Sequence, residues 1–297
     1  MSVRFGSLLI SLLTTAVSLS PLSAQVPQKA PAAECFPFER LPESLRPRAE
    51  EMLLRALDGE ALYTIAGGLK PMSSGFVSSS IKVDAPDLAE AEATRQILAA
   101  WTCGGEIAAG LHHFAAVYQG SRSLEAVVFH RSALKNMLTR HAAFLTPYGL
   151  SPSSDPMEVV MTVEYAATTP RLRGYGYLFG YPDYAVDFFA QASETQRLEE
   201  EKTGKGTLVP RDFVSLQTAR GERRFVYAVP KGHEPNDADR ALKTAADAIY
   251  EDYSARRKRH IAGESASGVR ALVREWFDDG TGDVRPSHAR RAVAAVR

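Results

Sequence analysis

The stretch IAAGLHHFAAVYQGSRSLEAVVFH, residues Ile107 to His130, decides the fold that this sequence leads us to expect. Two apolar runs, 107–118 and 124–130, flank the polar turn QGSRS. Apolar runs on either side of a glycine-containing turn are typical of a β-hairpin, although the first run also fits a helix. We therefore expect an antiparallel sheet in this part of the chain.

The remaining chain alternates between short apolar runs and amphipathic helical patterns. Further strands are predicted at 61–67, 76–83, 211–219 and 223–230. Apolar residues at three- and four-residue spacing predict helices at 42–57, 88–101, 131–145, 155–167, from Pro182 onward, at 236–260 and at 269–277. About six short strands, mostly in hairpins, and about seven helices favour an α+β fold with the helices packed on an antiparallel sheet.

The N-terminus has the pattern of a secretory signal peptide. A single cation, Arg4, precedes an apolar stretch with several Ser and Thr, and the small residue Ala24 suits cleavage. We expect an exported protein, periplasmic or extracellular, although a retained N-terminal anchor is the alternative. The expected divisions are a signal peptide at 1–24, a flexible leader at 25–34, one globular domain at 35–278 and a frayed tail at 279–297.

The charge balance bears on the possible partners. Cleavage after Ala24 removes Arg4 from the 35 Lys and Arg and leaves 34 cations against 35 Asp and Glu. A nearly neutral chain argues against nucleic acid as a partner, since nucleic-acid binding depends on cations that neutralise phosphates. No later segment is apolar enough to span a bilayer, so no membrane span is expected after cleavage.

The chain has two cysteines, Cys35 and Cys103. In an exported protein two cysteines are expected to form a disulfide. The alternative is that Cys103 is a buried free thiol beside Trp101.

The loop GGLKPMSSGF, Gly67–Phe76, combines features of a turn with features of a binding site. Its glycines can adopt positive φ, Lys70 can meet an anion, and Ser73 and Ser74 supply hydroxyls. The order of residues fits neither a phosphate-binding P-loop nor a Ser-x-x-Lys nucleophile, because Lys70 follows the glycines at once and precedes Ser73. The loop is either a connection between two strands or the wall of a site.

Histidines are the second chemical resource. His112 and His113 are adjacent, so on a strand they face opposite sides and one of them faces the core or a cleft. His130 ends the partner strand, where we expect it to lie across from one of them, and His233 lies in a turn. No His-Glu-x-x-His or Cys-x-x-Cys spacing occurs, so no metal and no cofactor is expected.

Aromatic residues concentrate in the segment Tyr175–Phe189, which we call the aromatic block. The chain is expected to break at the glycines of 170–189, the segment that contains this block, and to restart as a helix after Pro182. The aromatic rings either line a groove for a ligand or form a corner of the core. Nearby carboxylates carry little weight, because helices commonly carry them: Glu158, Glu164, Asp183 and Asp187.

Two functions remain open. The first is an exported protein that binds a small molecule or a protein partner in a cleft lined by Gly68, Lys70, Tyr177, Tyr181 and Tyr184. The second is an exported hydrolase-like enzyme that uses some of Lys70, Ser73, Ser74, His113, His130 and His233. The absence of a Gly-x-Ser-x-Gly motif favours binding. A hydrolase requires a serine hydroxyl within about 4 Å of a histidine nitrogen or of the lysine amine.

Overall fold

The computed structural model describes residues 35–221, 225–263 and 265–277. The predicted signal peptide (1–24), leader (25–34) and tail (279–297) lie outside the described residues. The rest of this subsection concerns the described residues alone.

A three-stranded antiparallel sheet forms around the hairpin. Its strands are β1 (Met72–Lys82), β2 (Ile107–Tyr118) and β3 (Ser121–His130), in the order β1-β3-β2. The predicted hairpin is thus confirmed, and its first run is a strand. Gln119 and Gly120 make the turn with φ of 49° and 73°, the positive values that a tight two-residue hairpin turn requires.

Both outer strands bulge against the central strand. Gly75, Phe76 and Val77 of β1 face one residue of β3, and the register of β2 shifts between His113 and Val117. Bulges bend a strand and increase its twist, so they re-aim the side chains on either side.

A second hairpin forms a separate two-stranded sheet from β4 (Arg211–Leu216) and β5 (Phe225–Pro230). The described residues therefore hold five strands in two small sheets, and the predicted number of about six was wrong. The extra strand was placed at 61–67, where Ile65 N instead donates to Ala61 O at 2.9 Å within a helical turn. All four residues of that turn, Leu62–Ile65, are buried, and an apolar run this short does not distinguish a strand from a buried helix.

The described residues form ten α-helices, not about seven. One is the turn just described, a second arises because the predicted helix at 131–145 breaks at His141, and a third occupies 168–178. The helices are α1 (Arg46–Leu57), α2 (Leu62–Ile65), α3 (Ala89–Ala99), α4 (Arg131–Arg140), α5 (Ala142–Leu145), α6 (Pro156–Glu164), α7 (Thr168–Leu178), α8 (Asp183–Thr203), α9 (Asp237–His260) and α10 (Val269–Phe277).

Helix α7 corrects the expectation that the chain breaks at the glycines of 170–189. Gly174 and Gly176 lie within the helix, and a Cβ at either would come within 3 Å of Val163 or Val186. These glycines therefore allow α7 to pack closely against α6 and α8. The chain leaves the helix only at Gly180, where φ is 72°.

The core lies on both faces of the three-stranded sheet. Along β3, Ala126 and Val128 belong to a cluster that includes residues of α1, α3, α9 and α10. Val127 and Phe129 belong to a second cluster with α4, α6 and α7. The alternation follows from the pleat, which sends successive side chains to opposite faces. Mixed helix and sheet with antiparallel strands confirms the α+β class.

A disulfide and a partly buried ion pair join distant segments. Cys35 and Cys103 form the predicted disulfide. Asp58, after α1, is buried and accepts hydrogen bonds from Arg257 Nε at 2.6 Å and from the Tyr253 hydroxyl at 2.6 Å, both on α9. Among the described helices, none has both the length and the apolar character needed to cross a bilayer.

Candidate functional site

A cavity of about 450 Å³ lies between one face of the three-stranded sheet, helices α7 and α8, and the β4–β5 hairpin. Phe213 lines it while remaining 64% exposed, which places its mouth at β4. Most of its wall is apolar or aromatic. The lining residues are Met72, Ser74, His112, Phe114, Glu125, Val127, Leu172, Tyr175, Gly176, Phe179, Tyr181, Ala185, Val186, Phe189, Phe213, Val226, Tyr227 and Ala228.

The pleat of the sheet selects which residues reach the cavity. Met72 and Ser74 of β1, like Glu125 and Val127 of β3, are two residues apart and share a face. On β2 the cavity is lined by His112, whereas the ring of His113 contacts Tyr165 edge to face, with ring centres 6.4 Å apart.

Two of the polar residues that line the cavity, His112 and Tyr175, form a chain of hydrogen bonds with Glu164. The Tyr175 hydroxyl donates to Glu164 Oε2 at 2.7 Å and lies 3.0 Å from His112 Nε2. Glu164 is buried, and its Oε1 accepts from Ala115 N at 2.8 Å. We call Glu164, Tyr175 and His112 the polar relay.

The protonation of His112 and Tyr175 follows from their burial and from the direction of the hydrogen bonds in the polar relay. Burial lowers the pKa of His112, and this outweighs the opposing effect of Glu164, so the imidazole is neutral at physiological pH. Burial and the hydrogen bond to Glu164 raise the pKa of Tyr175, so the phenol keeps its proton. Since the phenol gives that proton to Glu164, His112 Nε2 must be the donor to the phenol oxygen.

This tautomer leaves His112 Nδ1 as an unprotonated acceptor. The side chain is 1% exposed, and within the described part of the chain Nδ1 has no hydrogen-bond partner. An unpaired buried acceptor costs about 1–3 kcal/mol, so a hydrogen bond from a ligand to this nitrogen would stabilise the bound state.

The loop Gly67–Phe76 connects α2 to β1, and its candidate residues have separate environments. Lys70 is fully buried; its Nζ lies 2.6 Å from Glu60 Oε2 and 4.6 Å from the centre of the Phe225 ring. Ser73 Oγ shares a hydrogen bond of 2.8 Å with the Thr64 hydroxyl. Neither Lys70 nor Ser73 lines the cavity, whereas the side chain of Ser74 does.

Gly68 serves close packing in this loop. Its φ is 58°, and a Cβ there would come within 2.9 Å of the His130 ring. His130 in turn caps α4, since its Nδ1 accepts from Ala133 N at 3.3 Å. The expectation that His112 or His113 lies across from His130 was wrong, because Ile107 occupies that register position. The turn takes only Gln119 and Gly120 instead of the five residues 119–123, and β2 bulges between His113 and Val117. Both differences shift the register of β2 against β3.

His233 belongs to a second polar group, which we call the Asp239 cluster. His233 Nε2 lies 2.7 Å from Asp239 Oδ2, and the Tyr227 hydroxyl donates to Asp239 Oδ1 at 2.5 Å. The Tyr184 hydroxyl donates to the same oxygen. Since Tyr227 also lines the cavity, the Asp239 cluster supports the cavity wall from behind.

The aromatic block divides between cavity and core. Tyr181 lines the cavity, whereas Tyr184 belongs to the Asp239 cluster and Tyr177 stacks on His141 with ring centres 3.7 Å apart. Tyr175, Phe179 and Phe189 of the same block also line the cavity.

No pattern in the sequence distinguished His112 from His113 as the residue that faces the cavity, and none indicated the wall residues contributed by the β4–β5 hairpin. The burial of His112 depends on Tyr175, which is 63 positions away, and no local pattern reports such a contact.

Comparison with protein-family models, with curated proteins and with solved structures found no match to this chain. Across residues 35–221, 225–263 and 265–277, no three His, Cys, Asp or Glu side chains converge as a metal site needs. The geometry of the cavity is therefore the basis for a functional proposal.

Proposed function

We propose that this protein binds an apolar small molecule in the cavity between the three-stranded sheet, α7, α8 and the β4–β5 hairpin. The observation that carries the proposal is the cavity itself, about 450 Å³ with a mostly apolar wall that includes Tyr175 and His112 of the polar relay. Small-molecule sites have volumes of about 300–1,000 Å³ and this combination of apolar walls with few polar groups.

Close packing is the norm in protein interiors, which supports a ligand role for the cavity. Proteins pack to the density of organic crystals, and a cavity of this size forfeits contacts that would stabilise the fold. The folded state is therefore less stable than one in which side chains fill this space, and an open cavity is what ligand binding requires.

The same geometry favours binding over the hydrolase alternative. Ser73 bonds to Thr64, and His233 bonds to Asp239. Ser74 and His112 line one cavity, yet no hydrogen bond joins them among the described residues. A serine nucleophile needs a base within hydrogen-bond reach, so the hydrolase has less support.

We further place this function outside the cytoplasm, in the periplasm or the extracellular space. The disulfide between Cys35 and Cys103 supports this placement, because disulfides persist in oxidising compartments. The signal-peptide pattern at 1–24 supports it as well.

The test is a matched pair of tryptophan substitutions. Leu172→Trp introduces a large ring at the cavity wall, whereas Leu198→Trp introduces the same ring on α8 at a position that is 40% exposed and outside the cavity. We expect the mature protein to bind Nile red saturably at one site, and we expect Leu172→Trp to weaken that binding at least about tenfold, or 1.4 kcal/mol, because the ring occupies the ligand's space.

The Leu198→Trp variant should bind the dye like the natural protein, and circular dichroism should show that both variants are folded. Equal dye affinity in all three proteins, or no saturable binding by the natural protein, would contradict the proposed function.

A further inference from the structure

We infer that the ligand is a neutral amphiphile whose head group donates a hydrogen bond to His112 Nδ1, as the hydroxyl of a long-chain alcohol does. This inference rests on the proposed function, since it assigns the polar contact within the same cavity. Three observations carry it: the orientation of the imidazole, the burial of Nδ1 and the charges around the cavity.

The polar relay fixes which histidine nitrogen is available. Nε2 lies 3.0 Å from the Tyr175 hydroxyl oxygen, and that hydroxyl gives its own hydrogen to Glu164 at 2.7 Å. His112 must therefore donate from Nε2, which leaves Nδ1 as an acceptor and excludes it as a donor. A head group that only accepts hydrogen bonds has nothing to offer this nitrogen.

Burial makes the missing partner costly. The His112 side chain is 1% exposed and lines the cavity, and Nδ1 has no hydrogen-bond partner in the described part of the chain. Buried polar atoms in folded proteins almost always have a partner. A hydroxyl at the end of an apolar chain supplies one while its hydrocarbon fills the apolar part of the cavity.

Charge selects against an anionic head group. The Glu164 carboxylate lies one hydrogen bond beyond Tyr175, and Glu125 is itself a lining residue. No lysine or arginine is among the described residues that line the cavity, although the Arg211 guanidinium lies 5.4 Å from the centre of the Phe189 ring, which does line it. A fatty-acid carboxylate offers no donor to Nδ1 and would add a negative charge near Glu125, so a neutral alcohol is the better occupant.

The experiment compares three chains of equal length as competitors for Nile red. Decanol carries a donor, decyl methyl ether carries only an acceptor, and decanoate carries a negative charge. We expect the natural protein to bind decanol about tenfold more tightly than the ether, which corresponds to 1.4 kcal/mol, and decanoate most weakly.

His112→Phe keeps an aromatic ring of similar shape and removes the acceptor. In this variant we expect decanol and the ether to bind equally, and circular dichroism should show that it is folded. Leu198→Trp, which lies outside the cavity, is the control and should keep the preference for decanol. If the variant does not fold, the ¹⁵N chemical shift of His112 in the natural protein provides the test. We expect an unprotonated Nδ1 whose shift moves when decanol is added.

The outcomes separate this inference from the proposed function. Equal affinity for decanol and the ether in the natural protein, or a protonated Nδ1, overturns the assigned contact but leaves cavity binding intact. Tighter binding of decanoate than of decanol overturns the argument from charge. Failure of every chain to displace the dye, together with failure of the tryptophan test, overturns the proposed function.

Discussion

Asp239 collects hydrogen bonds from groups on three parts of the chain. Its Oδ1 accepts from the hydroxyls of Tyr184 and Tyr227, and its Oδ2 accepts from His233 Nε2 and from Asn236 N at 2.9 Å. The carboxylate thereby joins the N-terminus of α9 to α8 and to β5. At this scale a single side chain supports the β5 wall of the cavity through Tyr227.

The pKa of Asp239 gives a prediction about stability. Burial alone raises this pKa, but hydrogen bonds from Tyr184, Tyr227 and His233 outweigh burial, so the pKa in the folded protein is below the ordinary value of 3.8. A carboxyl whose pKa is lower in the folded state adds stability above its unfolded-state pKa and loses that contribution as the pH falls through the folded-state pKa.

We therefore expect Asp239→Asn to lower the free energy of unfolding by roughly 2–3 kcal/mol at neutral pH, the typical worth of hydrogen bonds to a charged group. The loss should shrink when the pH is brought well below 3.8, where the natural carboxyl also becomes protonated. Urea denaturation at both pH values measures it. Asp237→Asn is the control, since Asp237 is fully exposed in the same turn of α9; a similar loss in both variants would contradict the argument.

At the scale of elements, the corner between α7 and α8 is held against the loop that follows α2. Gly180 has a φ of 72°, and a Cβ there would lie 3.1 Å from Leu69 O and 3.2 Å from Lys70 Cα. Gly204, at the end of α8, has the same φ of 72° but no atom within 4 Å of that position. The two glycines separate the cost of backbone conformation from the cost of crowding.

We expect Gly204→Ala to cost about 1–2 kcal/mol, the price of the left-handed conformation for an L-residue. Gly180→Ala should cost about 1–3 kcal/mol more, because overpacking forces the backbone at 69–71 to shift. Differential scanning calorimetry and urea denaturation of both variants give the comparison. Equal losses in the free energy of unfolding would show that a Cβ at position 180 does not clash with this loop.

At the scale of the whole molecule, the disulfide closes a covalent loop between distant positions. Cys35 and Cys103 are 68 positions apart, and both belong to the core cluster on the side of α1 and α3. Met72 and Val127 of the cavity wall belong to the other cluster, and neither cysteine lines the cavity. Stability from the disulfide and ligand binding should therefore be separable.

We expect Cys35→Ser/Cys103→Ser to lower the free energy of unfolding by about 2–4 kcal/mol, because the unfolded chain regains the entropy of the open loop. At a temperature where the variant is folded, its affinity for Nile red should be unchanged. Chemical denaturation measures the first effect and dye titration the second. An unchanged free energy of unfolding, or a large loss of dye binding by the folded variant, would contradict this separation.

Local patterns predicted much of the fold, because helices and hairpins are stabilised by contacts close in sequence. Asn236 caps α9 as expected, with its side chain accepting from Asp239 N at 3.1 Å, and α10 spans Val269–Phe277 as its apolar spacing indicates. The periodicity of 107–130 likewise predicted the hairpin. In each case the hydrogen bonds that define the element join residues a few positions apart or across one short turn.

The sequence by itself thus determined the α+β class, most of the helices, both hairpins and the pairing of the only two cysteines. Tertiary structure alone decided that 62–65 is a helix, that α7 continues through Gly174 and Gly176, and that His112 faces the cavity while Lys70 is buried against Glu60. These outcomes depend on contacts between segments tens of residues apart. The free energy of such contacts comes from burying side chains against distant partners. The periodicity of one segment does not show which distant segment will pack against it.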